Sequence, residues 1–491
     1  MAGKDKLSVI ELDGRTGEGG GQLVRIACAL AAVASQPIRI INVRGNREGT
    51  RGGGLKAQHV TAIEFLAKAT GAEVDGLFVG SHTLDFRPHL QPSDIRGPAA
   101  GTGRNKHGDK NNKDAGDNNK GIISPFSHGS ILKIAADTPA ASTMLIFQAV
   151  FPFLLFAAAS NGSTHSGTNE ITITGGTNVA FSLSFEYLDQ VLLPTLEDAF
   201  GIRVERKLLA RGWSLGKQQR GKVEFKFKPL KLGEALKIKE DATVALDGKI
   251  GGVVYGGGAP LPAVEDVEGI DVSIIVPSDM RESMADALVE DLEQLFPDVD
   301  INIKVNEDSG ADTRIYVLLV AKAGVVRWGR DILTSMPKKA KAADKGAGSK
   351  AGKGGSSKAN NGTGNGGSSV SAAISRKLAK ELYEEVSSGG VVDEYLQDQL
   401  VIFQALAEGR TSFPRGEAKD SLEQAVAQLS QLTLHHDDDH NSQGKKTDKP
   451  FGEGSTHTTT ARWVTAQLLP GVKWYNKGLL CEGTGVRMEK K

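Results

Sequence analysis

Cysteine is almost absent from the chain: Cys28 and Cys481 stand at opposite ends of 491 residues, with no partner at metal-ligand spacing. This excludes a disulfide framework and a cysteine metal site, and it fits a reducing compartment. Excess charge is absent too, since 59 Lys plus Arg balance 59 Asp plus Glu and the sequence pI is about 7.2. No global field steers the chain onto polyanions, so any nucleic-acid contact must be local. The longest apolar run, Met144 to Ala159, is interrupted by Gln148 and Pro152. It falls short of the ~20 residues that cross a bilayer and reads as a buried helix. Met1 to Lys6 is charged and no long apolar segment follows it, so no secretory signal is expected and the protein is expected to stay inside the cell.

A length of 491 residues implies more than one core, at roughly 100 to 200 residues per domain. Composition marks three surface insertions. Gly101 to Lys120 is nearly all Gly, Asn, Asp and Lys; Lys338 to Ser369 is rich in Lys, Ala, Gly, Ser and Asn; and about Thr411 to Phe451 contains the run His435-His436-Asp437-Asp438-Asp439-His440. Such stretches bury too little apolar surface to offset the entropy of ordering. The histidine-aspartate run is read as a solvated linker and given no function, although its residue types could bind a divalent metal. The spaced lysines of the second stretch, Lys338 to Lys353, are read as solvating, with RNA contact or nuclear import as the functional alternative.

Between the insertions, β-rich runs alternate with helical patterns. Ser8 to Leu12, Gln22 to Ala34, Ile38 to Val43, Ala57 to Thr70 and a strand pair around Leu77 and Leu84 to Arg87 predict a sheet covered by two helices. A similar order recurs from Ile131 through Gln148 to Ala159, Glu170 to Thr174 and Ser182 to Phe200. It returns from Ser371 through Glu385, Gln397 to Leu406, Thr456 to Gln467 and Val472 to Tyr475. From about Leu230 to Trp328, the strands Ala242 to Leu246, Asp271 to Ile275, Asp300 to Val305 and Thr313 to Val320 flank a helix at Glu282 to Leu295. The expected fold class is α/β (α+β), with three repeated two-helix, four-strand units forming a large domain and a smaller α/β domain between the second and third. The expected boundaries are 1–229, 230–330 and 331–491.

The chemistry begins at Asp13-Gly14-Arg15-Thr16-Gly17-Glu18-Gly19-Gly20-Gly21-Gln22, a strand-to-helix turn whose glycines let backbone amides approach an anion. It matches neither G-x-G-x-x-G nor a Walker A loop. Glu18 among those glycines is read as a metal ligand, because a carboxylate beside phosphates is repelled without a divalent cation between them; the plainer reading is a first-turn acid favoured by the helix dipole. Arg25, Arg44, Arg47, Gln58 and His59 then form a dense polar set, and arginine forks match phosphate oxygens two at a time. Surface ion pairs, and a helix cap for His59, are the plainer readings. At the far end, Gly454-Ser455-Thr456-His457-Thr458-Thr459-Thr460 offers His457 as a nucleophile. Tyr395, Asp398 and Gln399 at i, i+3 and i+4 share one helix face, which is either a site wall or the wet side of an amphipathic helix.

These residues resemble the RNA 3′-terminal phosphate cyclases. Asp13 to Gln22, Arg25, Arg44, Arg47, Gln58 and His59 are similar to the family's N-terminal signature; Asp393 to Leu400 resembles its late helix, and Thr456-His457-Thr458 the segment of its adenylated histidine. Gln148 and Gly175-Gly176-Thr177-Asn178 match in order, and the likeness runs from about Ser8 to Gly485 outside the insertions. It implies a large domain of three repeats like the C-terminal domain of translation initiation factor three, with a smaller α/β insertion. It also implies an ATP-dependent, ligase-type enzyme that turns RNA 3′-phosphate ends into 2′,3′-cyclic phosphates through a histidine adenylate on His457, releasing AMP and pyrophosphate. Gln148, Tyr395, Asp398 and Gln399 would bind the nucleotide, with Asp398 either holding His457 in its attacking tautomer or contacting the nucleotide. Arg25, Arg44, Arg47, Gln58 and His59 would bind RNA phosphate, and Glu18 a divalent cation, Mg2+ or Mn2+.

Two features depart from the family: the Arg47 to Gln58 link is longer and has no Pro-Gly pair, and a large insertion ends just before His457. The strongest rival is a cyclase-like protein of ribosome biogenesis that acts by binding and has no adenylated histidine, which His457 argues against. A sugar-phosphate transferase of the related repeat fold ranks last. The resemblance further implies a nuclear location, with the cytoplasm as alternative, no membrane contact and no obligate protein partner.

Overall fold

The computed structural model describes residues 7–47, 52–94, 132–157, 167–239, 243–245, 253–255, 262–311, 313–336, 366–416 and 451–489. Residues 101–120, 338–365, 417–450 with the histidine-aspartate run, and Glu48 to Arg51 of the arginine link lie outside them.

The first unit shows how sequence pattern becomes position. Strand β1 (Ile10–Asp13) leads through the glycine turn into α1 (Gly21–Ala34), followed by β2 (Ile38–Ile41), α2 (Ala57–Thr70), β3 (Glu73–Asp75) and β4 (Leu84–Arg87). β1 and β2 are parallel, β4 lies antiparallel beside β2, and β3 closes the edge, giving the order β1-β2-β4-β3. The turn can be this tight because Gly17 and Gly19 adopt φ of 64° and 61°, a region that costs glycine little. α1 is apolar around its whole circumference; Leu23, Val24 and every residue from Ile26 to Val33 are buried. Such a helix belongs inside a core rather than at a surface.

The second unit repeats the path with β5 (Leu132–Ala135), α3 (Thr143–Phe156), β6 (Asn169–Gly175), α4, β7 (Val204–Ala210) and β8 (Gly221–Phe227), in the order β5-β6-β8-β7. Here α4 runs from Phe185–Tyr187 through a π turn at Leu188–Leu192 into Leu193–Phe200. In the third sheet, β9 (Thr243–Ala245), β10 (Val253–Tyr255), β15 (Glu408–Ser412), β16 (Lys473–Tyr475) and β17 (Leu480–Thr484) take the order β16-β17-β15-β10-β9. β10 and β15 are parallel, as the first two strands of the other units are. The helices of this sheet are α7 (Glu394–Leu406) and α8 (Thr456–Leu468).

A fourth sheet is inserted between β10 and α7. It comprises β11 (Gly269–Val276), β12 (Asp300–Asp308), β13 (Ile315–Ala323) and β14 (Val326–Thr334) in the order β12-β11-β13-β14, with α5 (Arg281–Leu295) between β11 and β12 and α6 (Gly366–Ser387) after β14.

The mixed α/β class expected from the sequence is the class the chain adopts. Three elements differ from the expectation. The helix at Ser371 to Glu385, read with the third unit, lies in α6 and packs on α5, β13 and β14 instead. Its stripe of Ile374, Leu378, Leu382 and Val386 is buried there and the Tyr383 ring meets Phe296; helical spacing says that a face is covered, not by which sheet. The strand at Ala242 to Leu246 is seen at 243–245 and pairs with β10 in the third sheet, so the inserted sheet interrupts the third unit rather than preceding it. Thr411 and Ser412, assigned to an insertion, are buried in β15, whose Glu-Gly-Arg-Thr-Ser sequence carries no apolar alternation to announce a strand. Among the described residues no helix is long and apolar enough to cross a membrane; α3, from the longest apolar run, is buried.

Candidate active site at the start of the central helix

α1 packs against α3 on one side and α8 on the other, and α8 packs against α7. The first turns of α1 therefore face three helices that come from all three units. Two clips hold this arrangement. The Glu18 amide donates to Thr460 Oγ1 of α8 at 2.9 Å, and Asn46 Nδ2 donates to the Arg15 carbonyl at 2.6 Å. A side chain at Gly17 would collide with Thr460 Oγ1, at 2.1 Å from the added carbon, so this glycine is needed for close approach as well as for its φ.

Around that point a continuous chain of side-chain hydrogen bonds crosses the helices. Arg25 Nε donates to Gln148 Oε1 of α3 at 2.6 Å, and Gln148 Nε2 donates to Gln399 Oε1 of α7 at 2.5 Å. Gln399 Nε2 donates to Asp398 Oδ1 at 2.7 Å. The other oxygen of Asp398, Oδ2, accepts from Gln22 Nε2 of α1 at 2.8 Å, and Gln22 Oε1 lies 2.8 Å from His457 Nδ1 of α8. Five of the residues singled out from the sequence, Arg25, Gln148, Asp398, Gln399 and His457, are thus joined into one network. Burial raises the Asp398 pKa, against the pull of His457, the two amide N–H groups and Arg25. Burial also lowers Arg25, helped by Arg44 and opposed by Asp398, to about 10, so it stays charged at neutral pH. His457 is shifted below the ordinary histidine range by partial burial, opposed by Asp398 and aided by Arg25 and Arg47. Its side chain is 47% exposed, so the imidazole is neutral and open to a substrate on its outer face.

A second corner is rich in unmet capacity. His59 is buried; its Nδ1 accepts the Lys56 backbone N–H at 3.1 Å, closing the start of α2. Its Nε2 is buried without a partner among the described residues and faces Gly21, where an added carbon would sit 2.6 Å away. Burial, then Arg25, Arg44 and Lys56, hold its pKa well below the ordinary value. His59 is therefore a neutral ring with an unused N–H donor beside Arg25. Arg44 adopts φ of 55° and donates through Nη1 to the carbonyl of Gly54 at 3.2 Å; burial lowers its pKa. Glu18 forms an ion pair with Arg47, and its Oε2 is 3.7 Å from His457 Nδ1. Both carboxylate oxygens are buried and accept no hydrogen bond. Gln58 is half-buried in the first turn of α2 beside His59 and stands outside the hydrogen-bonded chain.

Tyr395, one turn before Asp398, turns elsewhere. Its ring lies under the Arg330 guanidinium at 5.0 Å and edge-on to Tyr187 at 6.2 Å, and it is 42% exposed. Arg330 comes from β14 of the inserted sheet. Sequence reasoning did not assign a role to Gln22, Arg330 or Thr460. For Gln22 a signal existed: a glutamine three residues before Arg25, at the start of a helix otherwise apolar, is a buried polar group that must have partners.

A family model described as RNA 3′-terminal phosphate cyclase matches residues 16–436. His457 lies past that span, so its case rests on position. The chain is similar to the RNA 3′-terminal phosphate cyclase of Pyrococcus furiosus, 28% identical over 403 residues, covering 82% of this chain and 87% of that protein. It is similar to that of Methanosarcina mazei, 29% identical over 407 residues with 82% and 89% covered. The protein of the same description from Pyrobaculum aerophilum is 27% identical over 409 residues, with 83% and 88% covered.

Proposed function

The chain belongs to the RNA 3′-terminal phosphate cyclase family, and from that premise we propose that it converts RNA 3′-phosphate ends to 2′,3′-cyclic phosphates with ATP, using His457 as the nucleophile. The observation that carries this is the junction of an exposed neutral histidine with buried phosphate-suited donors. His457 Nδ1 is taken up by Gln22, Glu18 and Arg47 stand beside it, and the same network ends on Arg25.

His457 attacks the α-phosphorus of ATP through Nε2; a P–N bond forms and the P–O bond to pyrophosphate breaks. An oxygen of the RNA 3′-phosphate then takes the adenylyl group, breaking the P–N bond and forming a phosphoanhydride. Two anions meet in that step, and Arg25, Arg44, Arg47, Gln58 and the free N–H of His59 are the donors that offset their repulsion. Finally the adjacent 2′-hydroxyl attacks the activated phosphorus, loses its proton and expels AMP; attacking group and phosphorus share one ribose, so little entropy is lost. Tyr395 supplies an aromatic face for the nucleotide, with Gln148, Asp398 and Gln399 along the wall beneath it.

Glu18 fits a divalent cation, Mg2+ or Mn2+, because both its oxygens are buried and without hydrogen bonds. Among the described residues no group of three or more His, Cys, Asp and Glu could hold a metal. A hard cation at Glu18 would therefore complete its oxygen shell from ATP phosphates and water, and would supply neutralisation of the leaving charge. A nuclear location belongs to the same proposal and is tested by imaging the tagged chain.

The decisive test is incubation with α-labelled ATP and a divalent cation, then a denaturing gel and acid treatment. Wild type should carry an acid-labile label that is absent from His457→Ala. A folded wild type that binds ATP or RNA but takes no label would instead favour a binding protein of the same fold.

A further inference from the structure

The hydrogen-bonded chain can be read in one direction only, because one end has no choice of role. Arg25 is a guanidinium and can only donate. Gln148 must therefore present its oxygen to Arg25 and its NH2 to Gln399. Gln399 accepts there and turns its own NH2 to Asp398. Asp398 receives N–H groups at both oxygens, from Gln399 and from Gln22, which leaves no acceptor for a carboxyl proton. With its NH2 spent on Asp398, Gln22 has only its oxygen left for His457. An amide oxygen only accepts, so His457 Nδ1 must carry the hydrogen. A neutral imidazole has one N–H, and the lone pair is thus on Nε2.

We propose that Gln22 is the positioning residue that fixes His457 as the Nδ1–H tautomer, with Nε2 as the attacking atom, and that Asp398 acts on the histidine only through Gln22. The inference rests on the reading of His457 as nucleophile and assigns a function to a residue that the family likeness left without one. Gln22 is 1% exposed, so water cannot take over its role. Its neighbours come from α1, α7 and α8, and both of its bonds are 2.8 Å. Asp398 therefore does not hold the ring directly: the amide lies between them and converts a carboxylate acceptor into an oxygen acceptor one link further on.

The arrangement predicts an inversion. In Asp398→Asn the new amide keeps its oxygen toward Gln399 and turns its NH2 toward Gln22. Gln22 must then flip and offer NH2 to His457, which becomes an acceptor at Nδ1 and protonated at Nε2. Self-adenylation should fall by about 10²- to 10⁴-fold, the scale set by a wrong histidine tautomer in hydrolases and by general acid–base groups. The double variant Gln22→Glu with Asp398→Asn restores an acceptor for Nδ1–H, keeps every hydrogen bond of the chain and preserves net charge, so it should recover most of that loss. A merely structural role for Gln22 gives no reason for the second substitution to repair the first.

The test is nitrogen-15 NMR of full-length protein labelled at histidine, with His457 assigned by the signals missing from His457→Ala, alongside the labelling rate of each variant. The expected result is a protonated Nδ1 and an unprotonated Nε2 in wild type, the reverse in Asp398→Asn, and return of the wild-type pattern and rate in the double variant. A wild-type spectrum with the proton on Nε2 overturns the proposal without any variant at the chain. So does a folded Asp398→Asn with wild-type rate, or a folded double variant no faster than the single one. If His457→Ala still takes the label, it is the nucleophile reading that fails; if it does not while Asp398→Asn behaves as wild type, only the tautomer assignment does.

Discussion

Two buried carboxylates on the same helix, Asp393 and Asp398, do opposite kinds of work. Asp393 caps α7: its Oδ1 accepts from the Tyr395 and Leu396 amides at 2.8 and 2.9 Å and from the Tyr187 hydroxyl at 2.6 Å, while Oδ2 accepts from the Gly329 amide at 2.7 Å. Three of its four donors are backbone groups, and one belongs to the inserted sheet. Around it Arg330 and Arg415 both pair with Glu385. Asp398, one and a half turns on, accepts from two side-chain amides that can each be reversed by a half-turn. The first network fixes the inserted sheet to the third unit; the second holds a proton on one atom. Fixed donors suit a joint, and reversible amides suit a site whose state is set by what lies at its ends. The site also keeps polar atoms unmet, both oxygens of Glu18 and Nε2 of His59, and such groups cost stability unless a ligand takes them.

That contrast is open to attack from either side. The largest effect is expected at Glu18→Gln: self-adenylation should drop by about 10²- to 10³-fold, the range for losing one preorganised charge-stabilising group. Thermal stability should hold or rise, because a buried carboxylate without hydrogen bonds is replaced by a neutral amide. A clear loss of stability with unchanged labelling would make Glu18 a structural residue and collapse the distinction. Next comes Asp393→Ala, which removes a helix cap and leaves the Tyr187 hydroxyl and Gly329 N–H buried without an acceptor. Chemical denaturation should report a loss of about 3 kcal/mol, with the labelling rate per folded molecule much less affected than in Glu18→Gln.

The smallest effect concerns Asp331, on the same joint, whose carboxyl is raised by burial, against the Tyr316 hydroxyl that donates to it, to about 6. Its unfolded value is near 3.8, so between about pH 4 and 6 the folded protein binds more protons than the unfolded one. Stability contributed by this group therefore falls as pH rises through that window. Asp331→Asn should flatten the pH dependence of the unfolding midpoint there; an unchanged slope would mean that Asp331 is ionised in the fold.

How much of this was open to a reader of the sequence depended on how local each signal is. The glycine turn at Gly17 to Gly21 was legible because a run of glycines before an apolar helix has few structural uses. Helices α1, α2, α3, α5 and α7 were legible from apolar spacing. The strand Glu408–Ser412 was not, since its burial comes from pairing with β17 and β10 rather than from its own residues. Helix α6 was legible as a helix but not as a part of the inserted sheet, because an amphipathic stripe does not name its partner. At the site, Arg25, Gln148, Asp398, Gln399 and His457 could be picked out by residue type and family likeness. Gln22 could not, since the glutamine has no chemistry of its own until Asp398 and His457 are brought to either side of it.

The sequence by itself determined the α/β character, the phosphate-suited turn and the family, because these depend on short-range periodicity and on residue types in fixed order. Tertiary structure decided which unit each element joins, which donors stay unmet, and which nitrogen of His457 carries the hydrogen. Those outcomes depend on distances between residues up to 435 positions apart in the chain, and no local pattern encodes a distance that only the packing of α1 between α3 and α8 creates.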